Sequence, residues 1–162
     1  MYEDLRGKVA LITGAGKKTG IGFAIAEKMA SCGAHLAIAD LGRGPEGAGG
    51  VKMGTREEME EIAGALAEKH RVETLAVDLD VTRSDSIAAM VRAVRDRFER
   101  VDVLVNNAGA TFGAPAPAHA YDEEAWMKTI DVNLHGTFRV SKAVLPLMAR
   151  KPVSIVNIAS RA

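Results

Sequence analysis

The 162-residue chain has one cysteine, Cys32, and therefore no internal disulfide. A lone thiol accords with a reducing compartment. Charge of neither sign dominates, since 21 Lys and Arg face 21 Asp and Glu. Without a basic surplus there is no electrostatic footprint for nucleic acid, and without an acidic tail there is no solvating arm. No apolar run approaches the roughly 20 residues of a membrane span. The opening Met1 to Lys8 is charged and lacks the apolar core of a signal peptide. The expected setting is the cytoplasm, with neither membrane nor nucleic acid as partner. His35, His70, His119 and His135 lack metal-ligand spacing, so no metal is expected. Repeats and low-complexity tracts are absent as well.

What remains is ample material for a core. The composition is 48% hydrophobic, which excludes disorder as the default, and the length suits one domain spanning residues 1–162. Val9 to Thr13 is a short apolar run followed at once by glycines, a buried strand meeting a tight turn. Ile21 to Ser31 places Ile21, Ala24, Ile25 and Met29 at helical spacing. Leu36 to Asp40 is a second strand. A loop rich in glycine runs from Gly42 to Gly54. Thr55-Arg56-Glu57-Glu58 is a capping box opening a helix with Met59, Ile62, Ala63 and Leu66 on one face. Thr74 to Leu79 is a third strand. The next helix buries Ile87, Met90, Val91, Val94 and Phe98. Val101 to Val105 is a fourth strand. A loop with Pro115 and Pro117 leads to one long helix, roughly Asp122 to Arg150, and the closing run from Val153 is a fifth strand. Strand and helix alternate, and the strands are continuously apolar. That pattern predicts an α/β fold, a doubly wound, Rossmann-like parallel sheet with helices on both faces.

Thr13 to Gly22, Thr-Gly-Ala-Gly-Lys-Lys-Thr-Gly-Ile-Gly, joins the first strand to the first helix. Glycines let a backbone turn sharply and approach a pyrophosphate, and a helix N-terminus attracts anions. A tight turn that happens to be glycine-rich is the plainer alternative. A P-loop is excluded, because Lys17 is followed by Lys18 rather than Ser or Thr and the upstream glycine position is Leu11. Asp40 ends the second strand about 20 residues further on, where an acid can bind ribose hydroxyls. Capping the strand end is its alternative role. Together the two features favour a dinucleotide over S-adenosylmethionine.

With Asn106-Asn107-Ala108-Gly109 after the fourth strand, the chain resembles the short-chain dehydrogenase/reductase family over essentially its whole length. The resemblance implies cofactor contacts from Gly14, Lys18, Thr19, Gly20, Ile21 and Gly22, from Asp40, from Asp80 and Val81 beside adenine, and from Asn107, Ala108 and Gly109. Asn107 also has a purely bracing reading. Asn133 stands where the family has its catalytic asparagine, holding a water in the proton relay. Ser160 stands where the family's serine polarises the substrate oxygen. The implied activity is hydride transfer between a nicotinamide and a small alcohol or carbonyl compound. NAD is the expected cofactor, with NADP second. The implied assembly is a homodimer or homotetramer through the long helix, which carries Trp126, Ile130, Leu134, Phe138, Leu145 and Met148.

Three departures stand out. Gly14 and Gly20 are separated by two residues more than in the family's usual Thr-Gly-x-x-x-Gly-x-Gly. That leaves the contacts of Lys17 and Lys18 open. The stretch from Gly42 to Gly54 is longer than in most members and reads as a surface loop. Third, the family's Tyr-x-x-x-Lys, which follows the serine, is not among these residues. The only tyrosines are Tyr2 and Tyr121, with Arg6 and Ala125 four residues on. The expectation is an oxidoreductase chain ending before its acid–base pair and its last strands and helices, inactive alone, with apolar sheet left bare beside the fifth strand. A non-catalytic nucleotide-binding or interaction module is the alternative. A methyltransferase is disfavoured by Asn106 to Gly109 with Ser160.

Overall fold

Continuously apolar strands have to be covered on both faces, and those at Val9–Thr13, His35–Asp40 and Val103–Asn106 are. The computed structural model describes residues 3–42, 54–149 and 152–159. Ser160, Arg43 and residues 43–53 of the expected surface loop lie outside the described residues. The elements run β1 (Val9–Thr13), α1 (Ile21–Ser31), β2 (His35–Asp40), α2 (Arg56–His70), β3 (Thr74–Asp78), α3 (Ser84–Phe98), β4 (Val103–Asn106), α4 (Glu123–Ile130), α5 (Thr137–Val144) and β5 (Ser154–Asn157). The strands form one parallel sheet in the order β3-β2-β1-β4-β5. Leu11 sits beside Ala37 on one side and Leu104 on the other.

Alternate strand residues feed two cores. Ala10, Ile12, Leu36, Ile38, Val103 and Val105 pack with Ala26 and Ala30 of α1 and Met59, Ile62 and Leu66 of α2. Leu11, Ala37, Ala39, Val77 and Leu104 pack with Ile87, Met90 and Val94 of α3 and Val140 and Val144 of α5. Of the expected capping box the Thr55 half forms: its hydroxyl accepts the N–H of Glu58 at 3.2 Å, whereas the Glu58 carboxylate accepts the N–H of Lys18. Below the sheet, buried Asp102 accepts the N–H of Val9 at 2.8 Å and pairs with Arg100 at 3.0 Å. The fourth strand therefore starts two residues later than its apolar run, at Val103.

The long helix is not one α-helix. α4 passes into a π-helical stretch, Asp131–Gly136, before α5 begins, and Leu145–Met148 closes it as a 3₁₀ turn. The sheet is bare at β5, as the sequence anticipates: Ile155 is 40% and Val156 42% exposed. No helix among the described residues is long and apolar enough to cross a membrane.

Candidate functional site

In a parallel sheet all strands end at one edge. The chain leaves β1 toward β2 on one side and returns to β4 on the other, so the connecting loops part above β1 and leave a crevice. That crevice opens into a cleft of about 1220 Å³. It runs from the glycine loop across the ends of β2 and β4 to the face of α4.

Its floor is locked by small groups. Gly14 has φ +67, and a Cβ there would lie 2.7 Å from the Cα of Ala108. In the first turn of α1, a Cβ on Gly22 would fall 2.4 Å from the carbonyl oxygen of Gly14 and 2.7 Å from Nδ2 of Asn107. Only glycine fits either place. Asn107 Nδ2 donates to the carbonyls of Thr13 and Gly14, both at 2.9 Å. Thr13 Oγ1 in turn accepts the N–H groups of Asn107 at 3.0 Å and Ala108 at 2.9 Å. Thr13 is fully buried, and the sequence reading did not single it out. Its signal was the one hydroxyl closing an otherwise apolar strand. α1 has no side-chain cap and no acid in its first turn, so its first N–H groups are left for an anion.

Gly14, Gly20, Ile21, Asp40, Asp80, Val81, Asn107, Ala108 and Gly109 share the cleft wall. Asp40 is half-buried there. Its Oδ2 accepts the N–H of Gly16 and its Oδ1 that of Leu41, both at 2.8 Å. Asp80 Oδ1 accepts from the N–H and hydroxyl of Thr82, at 2.9 and 2.6 Å. Leu41 and Thr82 also line the cleft without having been named from the sequence as binding residues, and Lys17, whose contacts the loop spacing left open, lines it too. Gly22 lies beneath the wall. Thr19 is exposed and off it, and Lys18 is turned away onto α2.

Asn133 is not on the wall either; it holds a part of it. Its Nδ2 donates to the carbonyl of Ala110 at 2.6 Å, and its Oδ1 accepts that residue's N–H at 3.1 Å. The same Nδ2 reaches the carbonyl of Thr129 at 2.9 Å. Two residues away, Asp131 accepts from Arg139 at 2.8 Å and sits 3.2 Å from His135. The Arg139 bond, aided by His135, holds the Asp131 carboxyl below its usual range. Asn106 faces the other way from Asn107. Buried, it donates to Ser141 of α5 at 2.9 Å and to Asn157 of β5 at 2.8 Å. That bond anchors β5, the strand that leads toward Ser160, at the cleft edge.

The family model for short chain dehydrogenases matches residues 8–162. Trans-4-hydroxycyclohexanecarboxylate dehydrogenase of Sinomonas cyclohexanicum is 39% identical over 94% of this chain and 54% of its own length. Glucose 1-dehydrogenase 2 of Bacillus subtilis is 33% identical over 99% of the chain and 57% of its own. L-sorbose reductase from Gluconobacter frateurii, solved with NADPH and L-sorbose, superposes with a TM-score of 0.83 at 32% identity, over 99% of this chain and 55% of that one. Carveol dehydrogenase from Mycobacterium avium, solved with NAD, gives 0.85 at 28% identity, over 96% and 55%. The chain thus spans somewhat over half the length of the relatives it matches, and it belongs to the short chain dehydrogenase family.

Proposed function

We propose that residues 1–162 form the dinucleotide-binding domain of an oxidoreductase that moves hydride between a nicotinamide and a small alcohol or carbonyl compound. The observation that carries this reading is the glycine floor at the crevice between β1 and β4, with Asp40 on its rim. The cradle fits the group. The pyrophosphate would lie at the N-terminus of α1, over Gly14 and Gly20, where backbone N–H groups converge. Asp40 would accept from the adenosine ribose, while Asp80 and Val81 would flank the adenine. When bound, the nicotinamide supplies the hydride-carrying carbon. The chain's own residues bind and orient it: Asn107 keeps the floor in shape, and Asn133 holds Ala110 against the same cleft. Ser160 is the residue assigned to the substrate oxygen.

Which dinucleotide is taken follows from charge. A 2′-phosphate beside the Asp40 carboxylate would cost roughly 4 kcal/mol at 4 Å with an effective dielectric near 20. Lys17 faces the cleft and offsets part of this. Lys18 does not face it. NAD is therefore the favoured cofactor. Calorimetric titration of NAD⁺ and NADP⁺ into the chain tests both levels. Tighter binding of NADP⁺ would refute the cofactor choice, and binding of neither would refute the nucleotide reading. The family relationship supports a cytoplasmic enzyme acting on a small molecule. The exposed face of α4 and α5 supports assembly into a dimer or tetramer.

A further inference from the structure

Lys17 and Lys18 are neighbours in the glycine loop and face opposite ways. Lys17 lines the cleft and, among the described residues, makes no ion pair. Lys18 is pinned outward onto α2. Its backbone N–H donates to Oε1 of Glu58 at 2.9 Å, and its Nζ pairs with Oε2 of Glu61 at 2.7 Å. Glu58 is the third residue of α2, and its own N–H is capped by Thr55. In a capping box the carboxylate at this position returns to the cap residue. Here its Oε1 takes an N–H from a different element. A second contact presses the same two elements together. Gly54, just before α2, lies so near the loop that a Cβ there would fall 2.0 Å from the carbonyl oxygen of Gly16 and 3.2 Å from the nitrogen of Lys17.

We propose that Glu58 is a positioning residue for the nucleotide cleft, accepting the Lys18 N–H so that the loop is held on α2 with Lys17 facing the cleft. The proposal rests on the nucleotide reading above. A loop fixed before the phosphates arrive has less freedom to lose on binding, so the bound geometry is prepaid in the free protein. The Lys18–Glu61 pair raises the lysine pKa but is exposed, and exposed pairs contribute little. At position 58 the contact to the loop is made by an acceptor atom on a backbone N–H, so the proposal assigns the role to the acceptor rather than to the charge.

Glu58→Ala and Glu58→Gln separate these roles. The glutamine keeps an acceptor and loses the charge. Titration with ADP-ribose should show binding weakened about three- to tenfold in Glu58→Ala and within twofold of the unaltered chain in Glu58→Gln. Amide exchange at Lys18, followed by NMR without nucleotide, should quicken in Glu58→Ala alone. A role confined to the helix dipole would move both variants equally, and that result overturns the proposal, as does equal affinity in all three proteins. If the unaltered chain binds no ADP-ribose, the nucleotide reading fails, and the positioning role fails with it. Equal Lys18 exchange in the two variants would instead dismiss the tether itself.

Discussion

Asn107 shows how much one side chain can be asked to do. Its amide nitrogen serves two carbonyls of the first turn, and its backbone N–H is held by Thr13. A carboxylate in its place would point an anion at those two oxygens. Asn107→Ala should cost about 1–3 kcal/mol through the unmet carbonyls, and Asn107→Asp should cost more at pH 7 although it is nearer in shape. Urea denaturation of the two variants checks the order. An aspartate variant as stable as the parent would mean that the amide does not face those carbonyls. Asn107 and Asp40 were legible in the sequence because each is fixed by its place at a strand end. Lys18 was not. Its direction is set by Glu58 and Glu61 on another element, and no spacing within the loop reports that.

At the scale of the element, the long helix teaches a different lesson. Apolar residues from Trp126 to Met148 keep a helical period, which made one helix the natural reading. The π-helical stretch is invisible to that period. It coincides with Asn133, whose Nδ2 takes the carbonyl of Thr129, four residues back, that an α-helix would give to the backbone N–H. Immediately beside it, Asp131 bonds Arg139 across into α5. This bond lowers the Asp131 pKa from the ordinary 3.8. The sign follows by linkage: the pair stabilises the fold above pH 3.8 and ceases to as pH falls through the lowered folded value. Arg139→Ala should therefore be less stable than the parent near neutrality, and the gap should narrow in acid below that point. Denaturant midpoints measured from pH 7 down to pH 3 give the test. A gap that stays constant would show that Asp131 contributes nothing through its charge.

For the molecule as a whole, the alternation of strand and helix was readable because the strands are continuously apolar, and the central ones, β1, β2 and β4, are buried on both faces. The exposed surfaces carry the remaining information. Trp126, Leu134, Phe138 and Leu145 are all more than half exposed along α4, the π-helical stretch, α5 and the turn after it. Such a stripe is costly in water, and it is the surface on which the proposed dimer or tetramer would rest. Phe138→Glu should lower the association state seen by sedimentation at micromolar concentration. A parent chain that is already monomeric there would rule the assembly out. The chemistry meets a sharper limit. Hydride transfer to a carbonyl needs a proton donor, and acid–base help of this kind is worth roughly 10²–10⁴-fold. Of the two tyrosines in these 162 residues, Tyr121 donates its hydroxyl to the carbonyl of Phe112 and packs edge-on against Trp126. It lies off the cleft wall, and no lysine stands four residues beyond it. The residues proposed above for the adenosine half do share the cleft wall. The 162 residues should therefore bind nucleotide through its adenosine and phosphate groups, with ADP-ribose competing nearly as well as NAD⁺, and without turnover. Asp40→Ala should weaken that binding, and Ser160→Ala should leave it unchanged. Absorbance at the NADH band, followed with a panel of small alcohols, should stay flat. Steady turnover that vanishes in Ser160→Ala would show that a group other than a Tyr-x-x-x-Lys pair delivers the proton.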